Sequence, residues 1–150
     1  MEKVKVLFTA ALSAVMSWLG ILAIPVFLLV GCNLIDYFTG LAAAKFRNEL
    51  VNSYKGIKGI AKKVCMWLLI AVGAIIDVLI NYGVEYIGLE IKLPFIVATI
   101  VAVWLICNEI ISILENMLDI GVEMPPFLLP IVKNIKKQVE DKANIESEES

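Results

Sequence analysis

Three carboxylates lie inside long apolar stretches of this sequence: Asp36, Asp77 and Glu109. At the centre of a bilayer a charged side chain costs at least ~2.5–3.5 kcal/mol on insertion scales, so such side chains face protein or water. These carboxylates could form an ion pair with Lys62 or Lys63, accept a hydrogen bond, or line an aqueous path. Buried polar groups also hold membrane helices together. The three acids are therefore compatible with either a structural role or a functional one.

A second polar feature is a stripe near the end of the last long apolar segment. Its members recur at intervals of three and four residues, which places them on one face of a helix; they are Asn108, Ser112, Glu115, Asn116 and Asp119. Glu115 and Asp119 lie near the helix end, where charged side chains reach the water of the headgroup region at little cost. The stripe predicts association of this helix, either within the chain or between copies.

Signals for enzymatic chemistry are absent from the sequence. It has no histidine, which removes the commonest general base and metal ligand. It has no GxSxG, Walker or HExxH motif. The three cysteines stand in separate apolar segments without CxxC spacing, as expected of buried packing residues. We predict that the protein is not an enzyme, has no cofactor or metal and, at a net charge of −2, does not bind nucleic acid.

The elements that position these residues are long apolar helices. Hydrophobic residues make up 60% of the chain and charged residues 19%, with a mean hydropathy of +0.86; soluble domains have about 45–50% and 25%. One span needs roughly 20 apolar residues. We predict an all-α membrane protein with a transmembrane domain over residues 1–132 and a charged, solvated tail over 133–150. The helices are expected at about 4–20, 25–46, 64–82 and 94–119, with Gly20 and Pro25 separating the first two.

The orientation is predicted from a basic loop at residues 45–63. Its net charge is +5, from one glutamate and six basic residues: Lys45, Arg47, Lys55, Lys58, Lys62 and Lys63. Basic loops near spans stay in the cytoplasm. The loop and the C-terminus are then cytoplasmic, and the acidic connector 83–93 is outside. Four spans are favoured, because the N-terminal lysines also prefer the inside; with three spans the first helix would lie in the interface and the N-terminus outside.

Two short motifs, in this order and at these places relative to the spans, resemble the phage-lysis and toxin-secretion holins, the group that includes the clostridial toxin-secretion holin. The first is the run Asp36-Tyr37-Phe38-Thr39-Gly40 at the end of a span. The second is the run 108–116, which reads Asn-Glu-x-x-Ser-Ile-x-Glu-Asn. The basic loop with Gly56 and Gly59, the acid Asp77, and Gly121 with a proline pair lie between and after them. The resemblance covers roughly residues 25–130.

The resemblance implies a small protein of the bacterial cytoplasmic membrane whose partners are the lipid bilayer and its own copies. Such proteins oligomerise and form lesions that release an endolysin or a large toxin, without a need to bind this cargo directly. The alternative is an antiholin, or a membrane anchor or scaffold for a phage-derived secretion or injection machine. The residues implied as intramembrane polar or oligomerisation positions, none of them catalytic, are Asp36, Thr39, Gly40, Asp77, Asn108, Glu109, Ser112, Glu115 and Asn116.

Overall fold

The computed structural model describes residues 2–49 and 53–148, with the side chains at 15, 18, 53–55 and 144–148 outside the described set. These residues form five α-helices and no strand, which confirms the all-α prediction. In chain order the helices are α1 (Glu2–Leu19), α2 (Ala23–Phe46), α3 (Ser53–Tyr86), α4 (Ile96–Ile120) and α5 (Leu128–Glu148).

The boundary between α1 and α2 is a short 3-10 turn at Gly20–Leu22. Gly20 has a φ of +53°, a left-handed conformation that glycine adopts without the penalty of a Cβ atom. Pro25 lies in the first turn of α2, where its missing N–H leaves no helix bond unmade. The break therefore falls where the sequence has its two helix-disrupting residues.

Three described helices are long and apolar enough to cross a membrane: 20–46, 56–86 and 96–120. Helix α1 does not meet this standard, because Glu2, Lys3 and Lys5 are among its 18 residues. The 14 residues of α1 that follow Lys5 extend about 21 Å, short of the ~30 Å hydrocarbon core. The count agrees with the three-span alternative and not with the favoured four. Residues 2–14 of α1 are all exposed, so this helix projects from the rest of the molecule.

The predicted basic loop is mostly helical, which corrects the expectation for residues 45–63. Helix α2 continues to Phe46 and α3 already begins at Ser53, so Lys58, Lys62 and Lys63 lie on the first turns of α3. The side chain of Lys55 lies outside the described ones. Gly56 and Gly59 suggested a turn, but a glycine costs only about 1 kcal/mol in a helix. The stabilisation that a long apolar helix gains by packing in a bundle is larger than that cost.

Residues 133–148, which the sequence analysis expected to be part of a charged, solvated tail, lie in a helix. Helix α5 covers Leu128–Glu148. Its apolar residues at 128, 132, 135 and 139 recur at intervals of four and three, which gives one apolar face. Pro130 lies in its first turn and is tolerated there. The composition of residues 140–150 concealed this amphipathic pattern, which begins upstream of them.

Helix α4 is the centre of the bundle and packs against α2, α3 and α5. The core between these helices contains Leu22, Leu29, Met66, Ile70, Ala98, Ala102 and Leu105. Alanines at the contact let helix backbones approach closely, as is usual in membrane bundles. Among the glycines, the approach to a neighbouring helix is closest at Gly73, where an added Cβ would lie 2.9 Å from the Cα of Ala98. This position therefore requires glycine.

The buried face of α3 follows one regular spacing from end to end. Lys63, Met66, Ile70, Gly73 and Asp77 recur at intervals of three and four, and all five are buried or half-buried. The same spacing continues in half-buried positions at 56, 59, 81 and 84. The face therefore brings one cation and one carboxylate into the bundle, 14 residues or about 21 Å apart along the helix.

Candidate functional site: a buried ion cluster and the polar face of the central helix

The acids Asp36 on α2 and Glu109 on α4 meet at one cation, Lys63 on α3. The ammonium of Lys63 lies 2.8 Å from Asp36 Oδ2, and it also donates to Glu109 Oε2. Each helix of the three-helix core contributes one charged group. Of the two lysines considered from the sequence, the structure selects Lys63, while Lys62 is exposed.

Two amide side chains donate hydrogen bonds to these carboxylates, and a tryptophan donates to one of the amides. Asn33, whose amide is oriented by its neighbours, donates to Glu109 Oε2 (2.9 Å) and accepts from Trp67 Nε1 (3.2 Å). Asn116 donates to Asp36 Oδ1 (3.2 Å) and to Thr39 Oγ1 (3.3 Å). We call these seven residues the ion cluster: Asn33, Asp36, Thr39, Lys63, Trp67, Glu109 and Asn116.

The ion cluster lies well inside the apolar segments. Asp36 is ten residues from the end of α2, or about 15 Å at 1.5 Å per residue. Glu109 is 11 residues from the end of α4, a similar depth, and it is only 3% exposed. Two carboxylates share one ammonium here, and taking such charges out of water is costly unless each is paired and hydrogen-bonded. The satisfied cluster therefore fixes how the three helices meet.

Gly40 lies beside the ion cluster. An added Cβ there would lie 3.5 Å from Asn116 Nδ2, an ordinary contact distance. Thr39 also donates to the carbonyl of Ile35 (2.9 Å) in its own helix. The Asp-Tyr-x-Thr-Gly run therefore forms the α2 side of the contact with the end of α4.

Asp77 has a different environment, at the other end of the bundle, where it caps α4. Its Oδ1 accepts hydrogen bonds from the backbone N–H groups of Ile96 (3.1 Å) and Val97 (2.9 Å). Its Oδ2 accepts one from Ala98 (2.9 Å). The first N–H groups of a helix have no partner within the helix, and a carboxylate there also interacts favourably with the helix dipole. Phe95, the residue before α4, makes no side-chain cap, so Asp77 supplies it from α3.

One turn along α3, Asn81 holds the connector that leads into α4. Its side chain accepts from the N–H of Leu93 (2.8 Å) and donates to the carbonyl of the same residue (3.0 Å). It also donates to the carbonyl of Asp77 (3.0 Å). Asp77 and Asn81 thus satisfy the backbone of the α3–α4 connection, and their role is structural.

The polar stripe on α4 divides into two parts. Asn116 contacts α2 through the ion cluster, and Asp119 accepts from Arg47 at the end of α2. The hydrogen bond that Arg47 donates to Asp119 raises the pKa of Arg47. These two residues thus associate helices within the chain.

The other members of the stripe, Asn108, Ser112 and Glu115, contact no partner helix through a hydrogen bond among the described residues. Asn108 and Ser112 are half-buried and Glu115 is exposed. They are the part of the stripe that is available to another molecule.

A contact that the sequence analysis did not predict joins α4 to α5. Trp104 Nε1 donates to Glu140 Oε1 (2.8 Å), and the ammonium of Lys136 lies 5.1 Å from the centre of the indole ring. Val132 is buried nearby with Cys107 and Leu114. The heptad-like spacing of the apolar residues in α5 was the available signal for this contact.

Other residues of the site also had a signal in the sequence. Asn33 stands three residues before Asp36, and Asn81 four residues after Asp77, so each pair shares a helix face. In the parts of the chain that the structure describes, no group of three or more His, Cys, Asp or Glu side chains is arranged to hold a metal ion.

Comparison with known proteins gives one family. The sequence model of the bacteriophage holin family matches residues 13–137. A Halalkalibacterium halodurans protein of undescribed role is 36% identical over 129 residues, 85% of this chain and 90% of its own. A Clostridium perfringens protein is 30% identical over 135 residues, 89% of each chain, and a 14.9 kDa protein from the nagH 3′ region of that species is 29% identical over 129 residues, 85% of this chain and 89% of its own. No solved structure matches significantly.

Proposed function

The chain belongs to the bacteriophage holin family, and from this premise we propose that it oligomerises in the cytoplasmic membrane and opens lesions there. An endolysin or a large toxin would pass through the lesion, without direct binding to this protein. The observation that carries the proposal is the family match over residues 13–137, together with three helices that can span a membrane.

The division of the α4 stripe supports self-association. The ion cluster makes its ion pairs and hydrogen bonds inside one copy, so these contacts of Asp36, Lys63 and Glu109 need no neighbour. Asn108 and Ser112 remain partly exposed on α4, where lipid would otherwise contact them. Polar side chains at such positions form hydrogen bonds between membrane helices, worth about 0.6–2 kcal/mol each. A second copy offers the same groups and can satisfy them.

Weak contacts of this kind make assembly depend on concentration. Few copies associate while the protein is sparse, and larger assemblies form once it is dense in the membrane, by mass action. Exposed Glu115 lies on the same part of α4 and gains water if the assembly surrounds an aqueous lesion. The ion cluster keeps the three core helices together both in single copies and in assemblies, so whole bundles associate.

The orientation in the membrane is part of the proposal. We define the basic end of the bundle as the end where α2 ends and α3 begins, with Lys45, Arg47, Lys58 and Lys62. Positively charged segments beside spans stay in the cytoplasm. With three spans, the α3–α4 connector and α1 lie on the outer side, and α5 begins on the cytoplasmic side.

The experiment is induced expression in bacteria, with and without a co-expressed endolysin that lacks its own export signal. We expect growth to stop and the membrane potential to collapse in both cultures, and the culture to clear only when the endolysin is present. If potential and viability persist and the protein delays lysis by another holin, it is an antiholin. If it neither permeabilises nor self-associates but co-purifies with a fixed partner, it is an anchor or scaffold.

A pair of variants tests the role of the stripe. Asn108→Leu combined with Ser112→Ala removes the partly exposed polar groups and leaves the ion cluster intact, so we expect smaller oligomers and altered lysis timing. Thr99→Val is the matched control, because the Thr99 hydroxyl donates to the Phe95 carbonyl of its own helix. Unchanged timing and unchanged assembly in the double variant would contradict self-association through this stripe.

A further inference from the structure

Helix α5 lies along a helix that can span the membrane, although α5 itself is not apolar enough to do so. Trp104 binds Glu140 and Lys136 on one side of this contact. Val132 is buried against Cys107 and Leu114 on the same side. The contact therefore extends over several turns of both helices.

The contact reaches far along α4. Trp104 is 16 residues from the end of α4, which corresponds to about 24 Å along the helix axis. The hydrocarbon core of a bilayer is about 30 Å thick. With α4 across the membrane, docked α5 therefore carries Lys136 and Glu140 through most of its depth.

The outward face of docked α5 is polar. The exposed polar residues on it are Lys133, Asn134, Lys137, Gln138, Asp141 and Lys142, while Ile131 and Ile135 are also partly exposed and lie toward its edge. Charges near the bilayer centre cost at least ~2.5–3.5 kcal/mol each when lipid surrounds them. Lipid against this face is therefore strongly unfavourable. The docked arrangement requires water on the outward side of α5.

We propose that docked α5 forms the water-facing wall of the lesion, and that in copies surrounded by lipid α5 lies on the membrane surface at the basic end. The inference rests on the proposed function, since it assigns residues to the wall of the lesion that function requires. Helix α5 presents its apolar face to α4 and its lysines to the aqueous interior. It thereby covers an apolar side of α4 that a lesion would otherwise expose to water.

The connection between α4 and α5 suits two positions of α5. Gly121 ends α4 with a φ of +91°, and Pro125 and Pro126 follow in a non-helical segment. An amphipathic helix rich in lysine is stable at a membrane surface with its apolar side toward the acyl chains. The apolar face of α5 can thus contact either the acyl chains at the membrane surface or α4.

Distance measurement between two spin labels tests the proposal. Ile100 on α4 and Ala143 on α5 line one groove when α5 is docked. Ile100 is 20 residues from the end of α4, so a surface position of α5 separates the labels by about 30 Å or more. Both positions are changed to cysteine in a chain whose three own cysteines are alanine. Labelled protein is diluted with unlabelled protein in phosphatidylglycerol and phosphatidylethanolamine vesicles, so that only distances within one chain are measured.

The same vesicles contain a dye, so leakage is recorded beside the distance. We expect the long distance at low protein density without leakage, and the short distance at densities that release the dye. A long distance in leaking vesicles overturns the assignment of α5 to the wall. A short distance between the labels in vesicles that do not leak overturns the proposal that α5 lies on the membrane surface before lesions form. Vesicles that stay tight at every density contradict the proposed function, and this inference falls with it.

A charge reversal gives an independent test. Glu140→Lys removes the acceptor for Trp104 and places a second cation beside Lys136, so we expect about tenfold fewer docked copies, from the loss of a hydrogen bond to a charged group. Glu123→Lys makes the same change of charge in the connector and is the control. Trp104→Phe keeps the ring and removes only the N–H donor, and we expect it to reduce docking less. Equal leakage and equal distances for Glu140→Lys and the control overturn the role of this contact.

Discussion

The ammonium of Lys63 lies 2.8 Å from the carboxylate of Asp36, and this ion pair joins α3 to α2 within segments that can span a membrane. The same ammonium binds Glu109 on α4. A single cation thus lies at the meeting point of the three helices that form the core. This arrangement predicts that Lys63 is the most sensitive charged position in the bundle.

Lys63→Met should destabilise the bundle strongly. Removing one partner of a buried ion pair leaves uncompensated charge and costs about 3–5 kcal/mol. Here both Asp36 and Glu109 lose their cation. Unfolding in detergent, followed by circular dichroism across a denaturant series, measures the loss.

Lys62→Met is the control for this change, because it removes the same charge from the neighbouring exposed position. We expect less than about 1 kcal/mol of destabilisation there, as is usual for exposed charges. Equal destabilisation by the two variants would show that the ion cluster does not hold the helices together.

Asp77→Ala should loosen the start of α4. The variant leaves the N–H groups of three residues without their acceptor, and loss of a helix N-cap costs about 0.5–2 kcal/mol. Hydrogen–deuterium exchange at Ile96, Val97 and Ala98 should become faster. Glu85→Ala removes an exposed carboxylate of the same helix and should leave these amides unchanged; unaltered exchange in Asp77→Ala would argue against the cap.

Gly73→Ala and Gly83→Ala should have opposite effects on stability. At Gly73 the added methyl group meets the backbone of Ala98, and overpacking of this kind costs about 1–3 kcal/mol. At Gly83 nothing lies within 4 Å of the added atom. That substitution should stabilise the helix by about 0.5–1 kcal/mol. Thermal unfolding in detergent measures both, and a neutral Gly73→Ala would contradict the close approach of α3 to α4.

Arg47→Gln should have a small effect that depends on salt. The pair of Arg47 with Asp119 is about 40% exposed on each side, where dissolved ions screen the attraction. The stability difference from the unchanged chain should shrink as salt is raised, whereas the effect of Lys63→Met should persist. Titration of unfolding midpoints with sodium chloride compares the two, and a salt-independent loss for Arg47→Gln would speak against a surface pair.

The sequence analysis identified the buried acids but not the full set of their partners. An acid in an apolar run needs compensation wherever it lies, so Asp36, Asp77 and Glu109 could be singled out without a structure. The choice of Lys63 over Lys62 depended on helix register. Because residues 45–63 were predicted to be a loop, the sequence analysis could not assign Lys63 to a face of α3. The spacing of the buried residues from Asp77 back to Met66 nevertheless continues to Lys63.

The cap on α4 and the place where α5 docks could not be predicted from local patterns, although the apolar spacing of α5 indicates an amphipathic helix. Asp77 acts on backbone groups about twenty residues away, and only the antiparallel pairing of α3 and α4 brings them together. Glu140 meets Trp104 from a segment whose composition resembles a solvated tail. In both cases a long-range contact decides the role of the residue.

The cap that Asp77 provides for α4 has a consequence for the order of events in biogenesis. A nascent chain that ends before Ile96 contains the aspartate but none of the three amides that satisfy it. Until the first turn of α4 has been synthesised, integration of α3 into lipid therefore includes the cost of a charge without a partner, at least ~2.5–3.5 kcal/mol near the bilayer centre. We expect α3 to be retained in the membrane more efficiently when α4 follows it.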